Sequence, residues 1–403
     1  MSAQIRTCRP DEVVHALAPI MHFFGHRPTE EGTRRMLRTL EPERMHAACE
    51  GDAIVGGAGA FSFELSVPGG RVPAAGVTVV AVLPTHRRRG ILRALMRTQL
   101  DDVHRRGEPV AYLWASEGGI YGRFGYGPAS LCGDVEIARA HGGFAHPFER
   151  AGRTRLVDGD EALELVPPVY EAVARETPGM FARSRDWWDA RVLADPEWRR
   201  EGGGEQMRVV LELEGRPAAY ALYRLHPSFE AGSSSGFVSV IEAMGATPAA
   251  TAGIWRFLLD VDWMERVKAT LLPVDHPLLL LVTEARRLRM RVGDALWVRL
   301  VDVRAALAAR SLQGDGSVVL EIVDSFCPWN EGRLRVARGD VARTTDEPDL
   351  RLDVSALGSV YLGGFSWAQV ARAGRAEELA DGALERADAL FRTGRTPWCP
   401  EIF

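Results

Sequence analysis

The sequence predicts an α/β chain, α+β in its last quarter, built as three parts that are each a mixed sheet flanked by helices. Three observations carry this expectation. Helical and strand patterns alternate through the first third and close on a βαβ unit; the same order recurs in the middle third; and from residue 296 the pattern changes to short strands framed by helices. At 403 residues the chain is too long for one hydrophobic core. With 46% hydrophobic and 26% charged residues, it has the composition of an ordinary folded protein.

Residues 11–25 and 29–40 have helical patterns. The stretch MHAACEGDAIVGGAGAFSFELSVPGGRVPAAGVTVVAVLP then gives successive strands, broken by Gly-Asp, Pro-Gly-Gly and Pro turn signals. A helix follows, because Ile91, Leu92, Leu95, Met96, Leu100 and Val103 recur at three- and four-residue spacing. PVAYLWAS (109–116) is a short strand with a wholly apolar middle. Two buried strands joined through a helix pair in parallel.

After residue 138 the texture loosens in ARAHGGFAHPFERAG. A helix near 160–176, strands in MRVVLELEGRPAAYALYRL and GFVSVIEAMGAT, and a helix over AATAGIWRFLLDVDWMERV then repeat the earlier order without its arginine cluster. LWVRLVDVRAALAARSL (296–312) is expected to lead helically into strands GSVVLEIVDS, GRLRVARGD and DLRLDVSALGSVYLGG, followed by further helices. The parts are expected at 1–138, 139–293 and 294–403.

The net charge of −5 argues against wholesale nucleic-acid binding. Cys8, Cys49, Cys132, Cys327 and Cys399 are scattered and never spaced as CxxC, so neither a disulfide framework nor a zinc site is expected. The N-terminus lacks a signal-peptide pattern, and no apolar run approaches 18 residues, the longest being of the PLLLLV kind. A cytoplasmic protein with no membrane partner is expected.

The stretch VAVLPTHRRRGILRALM (80–96) is the first with chemistry in it. A strand ending at Val82, a basic loop and a helix starting near Gly90 make a geometry for diphosphate. The first turn of a helix has four N–H groups without intrahelical partners, and its dipole is positive there. Gly90 permits close approach of a phosphate, and Arg87, Arg88, Arg89 and Arg93 add charge. The competing reading is a solvated basic loop. Neither GxxxxGK[ST] nor GxGxxG is present, which leaves the acetyltransferase pattern R/Q-x-x-G-x-G/A; it is met by Arg87 and Gly90 and departs at Leu92.

The sequel decides between them. LWASEGGIYGRFGYGPA (113–129) begins on the neighbouring parallel strand, where a ligand crossing the carboxyl edge of the sheet would arrive. THRRRG followed by ASEGGIYGRFGYG strongly resembles the enhanced-intracellular-survival (Eis) family of GNAT N-acetyltransferases, and so does the layout along the whole chain. The resemblance implies a catalytic GNAT domain, a degenerate second GNAT-like domain and a sterol-carrier-protein-like C-terminal domain. It implies acetyl-CoA as co-substrate, lying along Val80, Ala81 and Val82. The diphosphate would sit on Arg88, Arg89, Gly90, Ile91, Leu92 and Arg93, and the thioester would approach Ser116 and Glu117.

The family's general acid falls on Tyr121, protonating the departing thiolate, with Tyr126 left as a structural neighbour. Its base falls on the main-chain carboxylate of Phe403, whose apolar ending, CPEIF, is expected to be buried. Glu401 is placed as a substrate contact. So are His22 and Phe24 in MHFFGHRPTEE, where the family often has an acid; here Glu30 and Glu31 come only later. The implied acceptors are aminoglycoside-like or polyamine amines, with lysine side chains besides, and the implied assembly is a homohexamer of two stacked trimers. Two other readings stand beside this one: an acyltransferase for a protein lysine or a pathway intermediate, and a lipid carrier using the C-terminal domain.

Three further signals are given structural readings. GSSSG (232–236) fits G-x-S-x-G but joins a polar loop to a strand, so it is expected as a hairpin connection. His22 and His26 lack a third ligand, so no metal is expected. Trp187, Trp188, Trp198, Trp255, Trp263 and Trp297 are spaced as core or subunit-interface residues.

Overall fold

In the computed structural model, which describes residues 3–149 and 151–403, the first sheet begins as an antiparallel run. It comprises β1 (Gln4–Thr7), β2 (Met45–Glu50), β3 (Ala53–Val67) and β4 (Gly70–Val82). Helices α1 (Val13–Phe23) and α2 (Glu30–Met36) lie between β1 and β2, and the Thr29 hydroxyl caps α2 by accepting from the Gly32 N–H at 3.0 Å. α3 (Ile91–Arg105) buries Ile91, Leu95, Met96, Leu100 and Val103, the stripe its spacing predicts. β5 (Val110–Trp114) pairs in parallel with β4 from Ala74↔Val110 to Gly76↔Tyr112, so the expected βαβ unit is present. α4 (Gly118–Tyr121) and β6 (Gly127–Pro128) follow.

β7 (Leu131–Ala138) opens a second sheet with β8 (Arg153–Leu156), β9 (Met207–Leu213) and β10 (Arg216–His226). β11 (Phe229–Glu230) and β12 (Ser233–Ser234) form a separate hairpin, the place expected for GSSSG. β13 (Phe237–Gly245), β14 (Arg266–Pro273) and β15 (Arg291–Asp294) complete the sheet in the order β15-β7-β14-β13-β10-β9-β8. Its helices are α5 (Gly159–Ala174) and α6 (Pro248–Leu259). α6 stops earlier than its sequence pattern implies, because the chain turns at Asp260 and enters β14 at Arg266.

β16 (Leu296–Leu300) belongs to the first sheet, between β5 and β6, in the order β1-β2-β3-β4-β5-β16-β6. The helix expected from 296 starts only at α7 (Val303–Ala309), where the Asp302 carboxylate accepts from the Ala305 N–H at 2.9 Å. A strand paired on both edges and buried on both faces shows no alternation, so LWVRL looks like buried helix.

The third sheet holds β17 (Ser317–Val323), β18 (Gly332–Ala337), β19 (Asp340–Arg343), β20 (Leu350–Asp353) and β21 (Ala376–Glu378), ordered β19-β18-β17-β20-β21. Its helices are α8 (Val354–Tyr361), α9 (Trp367–Arg372) and α10 (Ala383–Phe391). VSALGSVY, expected within a strand, is α8: every residue is buried, and the Asp353 carboxylate caps it through the Ser355 N–H at 2.8 Å. α8 lies backbone-close on the first sheet. A Cβ on Gly127 would meet the Ser355 carbonyl at 1.9 Å, and one on Gly358 the Val298 carbonyl at 2.3 Å.

The chain forms two compact units. One comprises the chain up to Ser130, Ala295–Pro397 and Ile402–Phe403; the other comprises Leu131–Asp294 and Trp398–Glu401. The first sheet therefore leaves the chain at Ser130 and resumes at Ala295, whereas the sequence suggested divisions after 138 and 293. No described helix is long and apolar enough to cross a membrane.

Candidate active site

The site grows from the place where β4 and β5 part. Their ladder ends at Gly76↔Tyr112, although the strands run on to Val82 and Trp114. Val79 sits at φ 49°, and the β3–β4 register shifts between Gly57 and Gly59, so β4 bends away here. Among the described residues, no strand pairs with the edge of Val80–Val82 on the β5 side.

Beyond β4 the chain makes the arginine turn. Arg88 sits at φ 60° and Gly90 at φ 81°. A left-handed arginine costs on the order of 1 kcal/mol or more and persists only where its surroundings impose it. A Cβ on Gly90 would meet nothing within 4 Å, and among the described residues no side chain caps α3, so the helix start is open at this glycine. The corresponding turn of the second unit is closed. There the Thr247 hydroxyl caps α6 through the Ala250 N–H at 3.2 Å, and a Cβ on Gly245 would meet the Thr251 nitrogen at 2.3 Å.

A cavity of about 680 Å³ joins these parts. Of the residues singled out in the sequence, Val80, Ala81, Val82, Arg88, Gly90, Ile91, Leu92, Arg93, Ser116, Glu117 and Tyr121 line it. Arg89 does not: its guanidinium donates to the Glu50 carboxylate at 2.5 Å. Arg87 takes a place on the wall instead, beside His86, Arg123 and Phe124. The basic letters of THRRRG and YGRFG were the available signal; which of them turn inward depends on backbone torsions that the letters do not carry.

Tyr121 is only 7% exposed. Burial, with the nearby Glu117 carboxylate second, pushes its phenol up to about 12, so it holds its proton at neutral pH. Its ring meets that of Tyr126 edge-on at 5.9 Å. Tyr126 is fully buried.

α1 contributes Ile20 and Phe23 to the wall, three residues apart on one helical face. His22 and Phe24 are exposed and are not among the residues that line the cavity. Glu401 lies in the second unit, where its carboxylate is 3.0 Å from the buried Arg183 guanidinium and accepts from the Trp187 indole at 2.9 Å. Phe403 returns to the first unit and is 8% exposed. Its ring packs on Phe63 at 5.2 Å and Tyr112 at 5.0 Å, and its edge would be 3.2 Å from a Cβ on Gly76. The chain terminus is therefore seated on the last paired residues before β4 and β5 separate. Among the described residues, no three His, Cys, Asp or Glu side chains gather in a metal-holding group.

Two acetyltransferase (GNAT) domain models match the chain, over residues 4–129 and 179–301, and a sterol carrier protein domain model matches 303–400. The chain is 36% identical to the N-acetyltransferase Eis of Mycobacterium tuberculosis over 357 residues, covering 85% of this chain and 84% of that one. The chain belongs to the Eis family of GNAT N-acetyltransferases.

Other relatives agree with that placement. An uncharacterized N-acetyltransferase of Streptomyces avermitilis is 42% identical over the full length of both chains. The crystal structure of Eis1 from Mycobacterium abscessus superposes with a TM-score of 0.86 at 36% identity, covering 99% of this chain and all of that one. A GCN5-related N-acetyltransferase from Anabaena variabilis, 19% identical with a TM-score of 0.85, shares the fold. This Eis-family chain is thus an N-acetyltransferase with two GNAT domains and a sterol-carrier-like domain, and GNAT acetyltransferases use acetyl-CoA as co-substrate.

Proposed function

We propose that this Eis-family enzyme transfers the acetyl group of acetyl-CoA to an amine of an aminoglycoside-like or polyamine molecule, with lysine side chains as further acceptors. The observation that carries the reading is the single cavity with an open, arginine-lined helix start on one wall and the buried, protonated Tyr121 on another. The open space at Gly90 and the free N–H groups of α3 suit a diphosphate, with Arg88 and Arg93 supplying charge. The unpaired edge of Val80–Val82 suits an extended amide chain, which would add itself as a strand.

In this reading the acceptor nitrogen forms its bond to the carbonyl carbon as the carbon–sulfur bond breaks. The amine loses a proton and the sulfur gains one. Tyr121 serves the sulfur: a phenol near 12 gives up no proton spontaneously, but it donates a hydrogen bond to a thiolate and delivers the proton as charge develops there. The Phe403 carboxylate receives the amine's proton through water, its ring being fixed at the point where the strands part. Ser116 and Glu117 flank the thioester end. His22 and Phe24, sequence neighbours of the wall residue Phe23, are assigned to the acceptor side, and Glu401 is read as a substrate contact whose carboxylate is held by Arg183 and Trp187. A homohexamer is carried over from the family resemblance. A cytoplasmic site suits five buried, unbridged cysteines.

The test is thiol release from acetyl-CoA across a panel of aminoglycosides, polyamines and lysine peptides. Tyr121→Phe is expected to lower kcat by roughly 10²- to 10⁴-fold with the KM for acetyl-CoA little changed. A short extension after Phe403 is expected to stop turnover while coenzyme A still binds. Full activity of the extended chain would remove the terminal carboxylate from the mechanism, and the absence of release with every amine would remove the acceptor class.

A further inference from the structure

The segment between β17 and β18, DSFCPWN, comes from the sterol-carrier-like domain and reaches the cavity's outer wall within the same unit. It is held at several points. The Asp324 carboxylate, 1% exposed, pairs with the fully buried Arg299 guanidinium at 2.6 Å, and accepts from the Cys327 N–H and the Asn330 side-chain amide at 2.9 Å each. The Trp329 indole donates to the Val301 carbonyl at 2.8 Å, and the Asn330 side-chain oxygen accepts from the Val303 N–H at 3.0 Å. These bonds leave Phe326, 2% exposed, little freedom.

The Phe326 ring has three partners at the site. The Arg93 guanidinium lies 5.1 Å from its centroid, the Arg97 guanidinium 4.0 Å, and the Phe124 ring meets it edge-on at 5.2 Å. Arg93 and Phe124 both line the cavity. Arg93 is exposed and has no hydrogen bond or ion pair among the described residues, so this ring is what directs its long side chain. Cation–π attraction grows where the cation is partly desolvated, and an arginine plane held on a ring loses less freedom on binding an anion. Phe124 belongs to the turn that carries Tyr121, so one ring braces both ends of the cavity.

We infer that Phe326 is a positioning residue for the co-substrate: the sterol-carrier-like domain supplies the ring that holds Arg93 at the diphosphate end. This rests on the reading of the arginine wall as the diphosphate site, and the experiment separates the two. Steady-state kinetics and coenzyme A titrations are run on the full chain carrying Phe326→Leu, Phe326→Tyr, Arg93→Gln and the Phe326→Leu/Arg93→Gln pair. Leucine keeps the apolar fill without the π face, and Phe326→Met replaces it if the leucine variant fails to fold.

Phe326→Leu is expected to raise the KM for acetyl-CoA and the Kd for coenzyme A roughly three- to tenfold. Its kcat should stay within about twofold and its Tm within a few degrees, Phe326→Tyr should restore the affinity, and the double variant should be no worse than Arg93→Gln alone. A residue that only fills the core would lower Tm and leave KM where it was. If Arg93→Gln weakens coenzyme A and Phe326→Leu does not, the inference fails while the site reading stands. If Arg93→Gln leaves coenzyme A binding unchanged, the diphosphate reading of that wall fails, and the inference with it.

Discussion

Asp324→Ala tests how firmly the sterol-carrier-like domain is keyed into the catalytic sheet. Arg299 on β16 is fully buried, and its salt-bridge partner is Asp324, at 2.6 Å and itself 1% exposed. A Cβ on Gly125 would meet the arginine's Nη1 at 2.0 Å, so the guanidinium lies directly under the end of the Tyr121 turn. Removing the carboxylate strands a buried positive charge, leaves the Cys327 N–H without its acceptor and takes from the Asn330 amide one of its acceptors, the Val301 carbonyl remaining at 3.1 Å. Breaking one side of a buried pair costs about 3–5 kcal/mol, most of it the penalty of the uncompensated charge. In a unit of this size that lowers Tm by roughly 6–20 °C. The companion variant, Arg299→Met with Asp324→Leu, removes both charges and is expected to recover most of the loss, because desolvation of the pair offsets much of its attraction. Scanning fluorimetry of the full chain reads both. A shift below about 2 °C for Asp324→Ala would mean that water or another group compensates Arg299, and the keyed-in picture would be wrong.

Two further perturbations follow from particular groups. His276 is buried against Trp255 at 5.0 Å, its Nδ1 accepts from the Leu278 N–H, and burial pushes its pKa down to about 3 from an ordinary 6.5. The unfolded chain then binds the proton more tightly, so this contribution is whole above pH 6.5 and is lost as pH falls toward 3, at about 1.4 kcal/mol per pH unit, or about 2 kcal/mol by pH 5. Urea midpoints should fall accordingly, and His276→Gln should flatten that slope. Gly76→Ala places a Cβ 2.3 Å from the Phe63 ring and 3.2 Å from the Phe403 ring, forcing the aromatic pair to shift. Steady-state kinetics should show kcat falling roughly ten- to hundredfold with the KM for acetyl-CoA nearly unchanged, since small misplacements of a reacting group are costly; an unaltered kcat would separate the terminus from turnover.

The arginine turn and IYGRFGYG were legible because both are local: a helix start, its glycine and a short turn are written within a few letters of each other. What stayed hidden was set by partners far along the chain. Nothing in LCGDVEIA says that it pairs with Arg266–Pro273 and not with the strands before it, and nothing in LWVRL says that it lies between β5 and β6. Full burial also erased the periodicity that separates strand from helix, which is why VSALGSVY looked extended. The exchange of Arg89 for Arg87 on the cavity wall has the same origin. Glu50, the partner that turns Arg89 away, lies on another strand.

β16 explains why these distant pieces matter to the chemistry. It is antiparallel to both β5 and β6, so those two strands run in parallel one strand apart, and residues 115–126 must return over one face of β16 to join them. That crossover is the turn that lifts Tyr121 to the carboxyl edge of β5. Side chains two apart on a strand share a face, and on β16 that pair is Trp297 and Arg299. A Cβ on Gly118, where the turn begins, would sit 3.1 Å from the Trp297 ring, and Gly125, where it ends, lies on Arg299. The floor of the Tyr121 turn is therefore one strand, drawn from the far side of the second sheet in sequence and fixed by Asp324. Residues 4–129 alone match a GNAT domain but lack that strand. The C-terminal domain consequently takes part in walling this cavity: its Asp324 fixes the strand under the Tyr121 turn, and its Phe326 ring lies against Arg93.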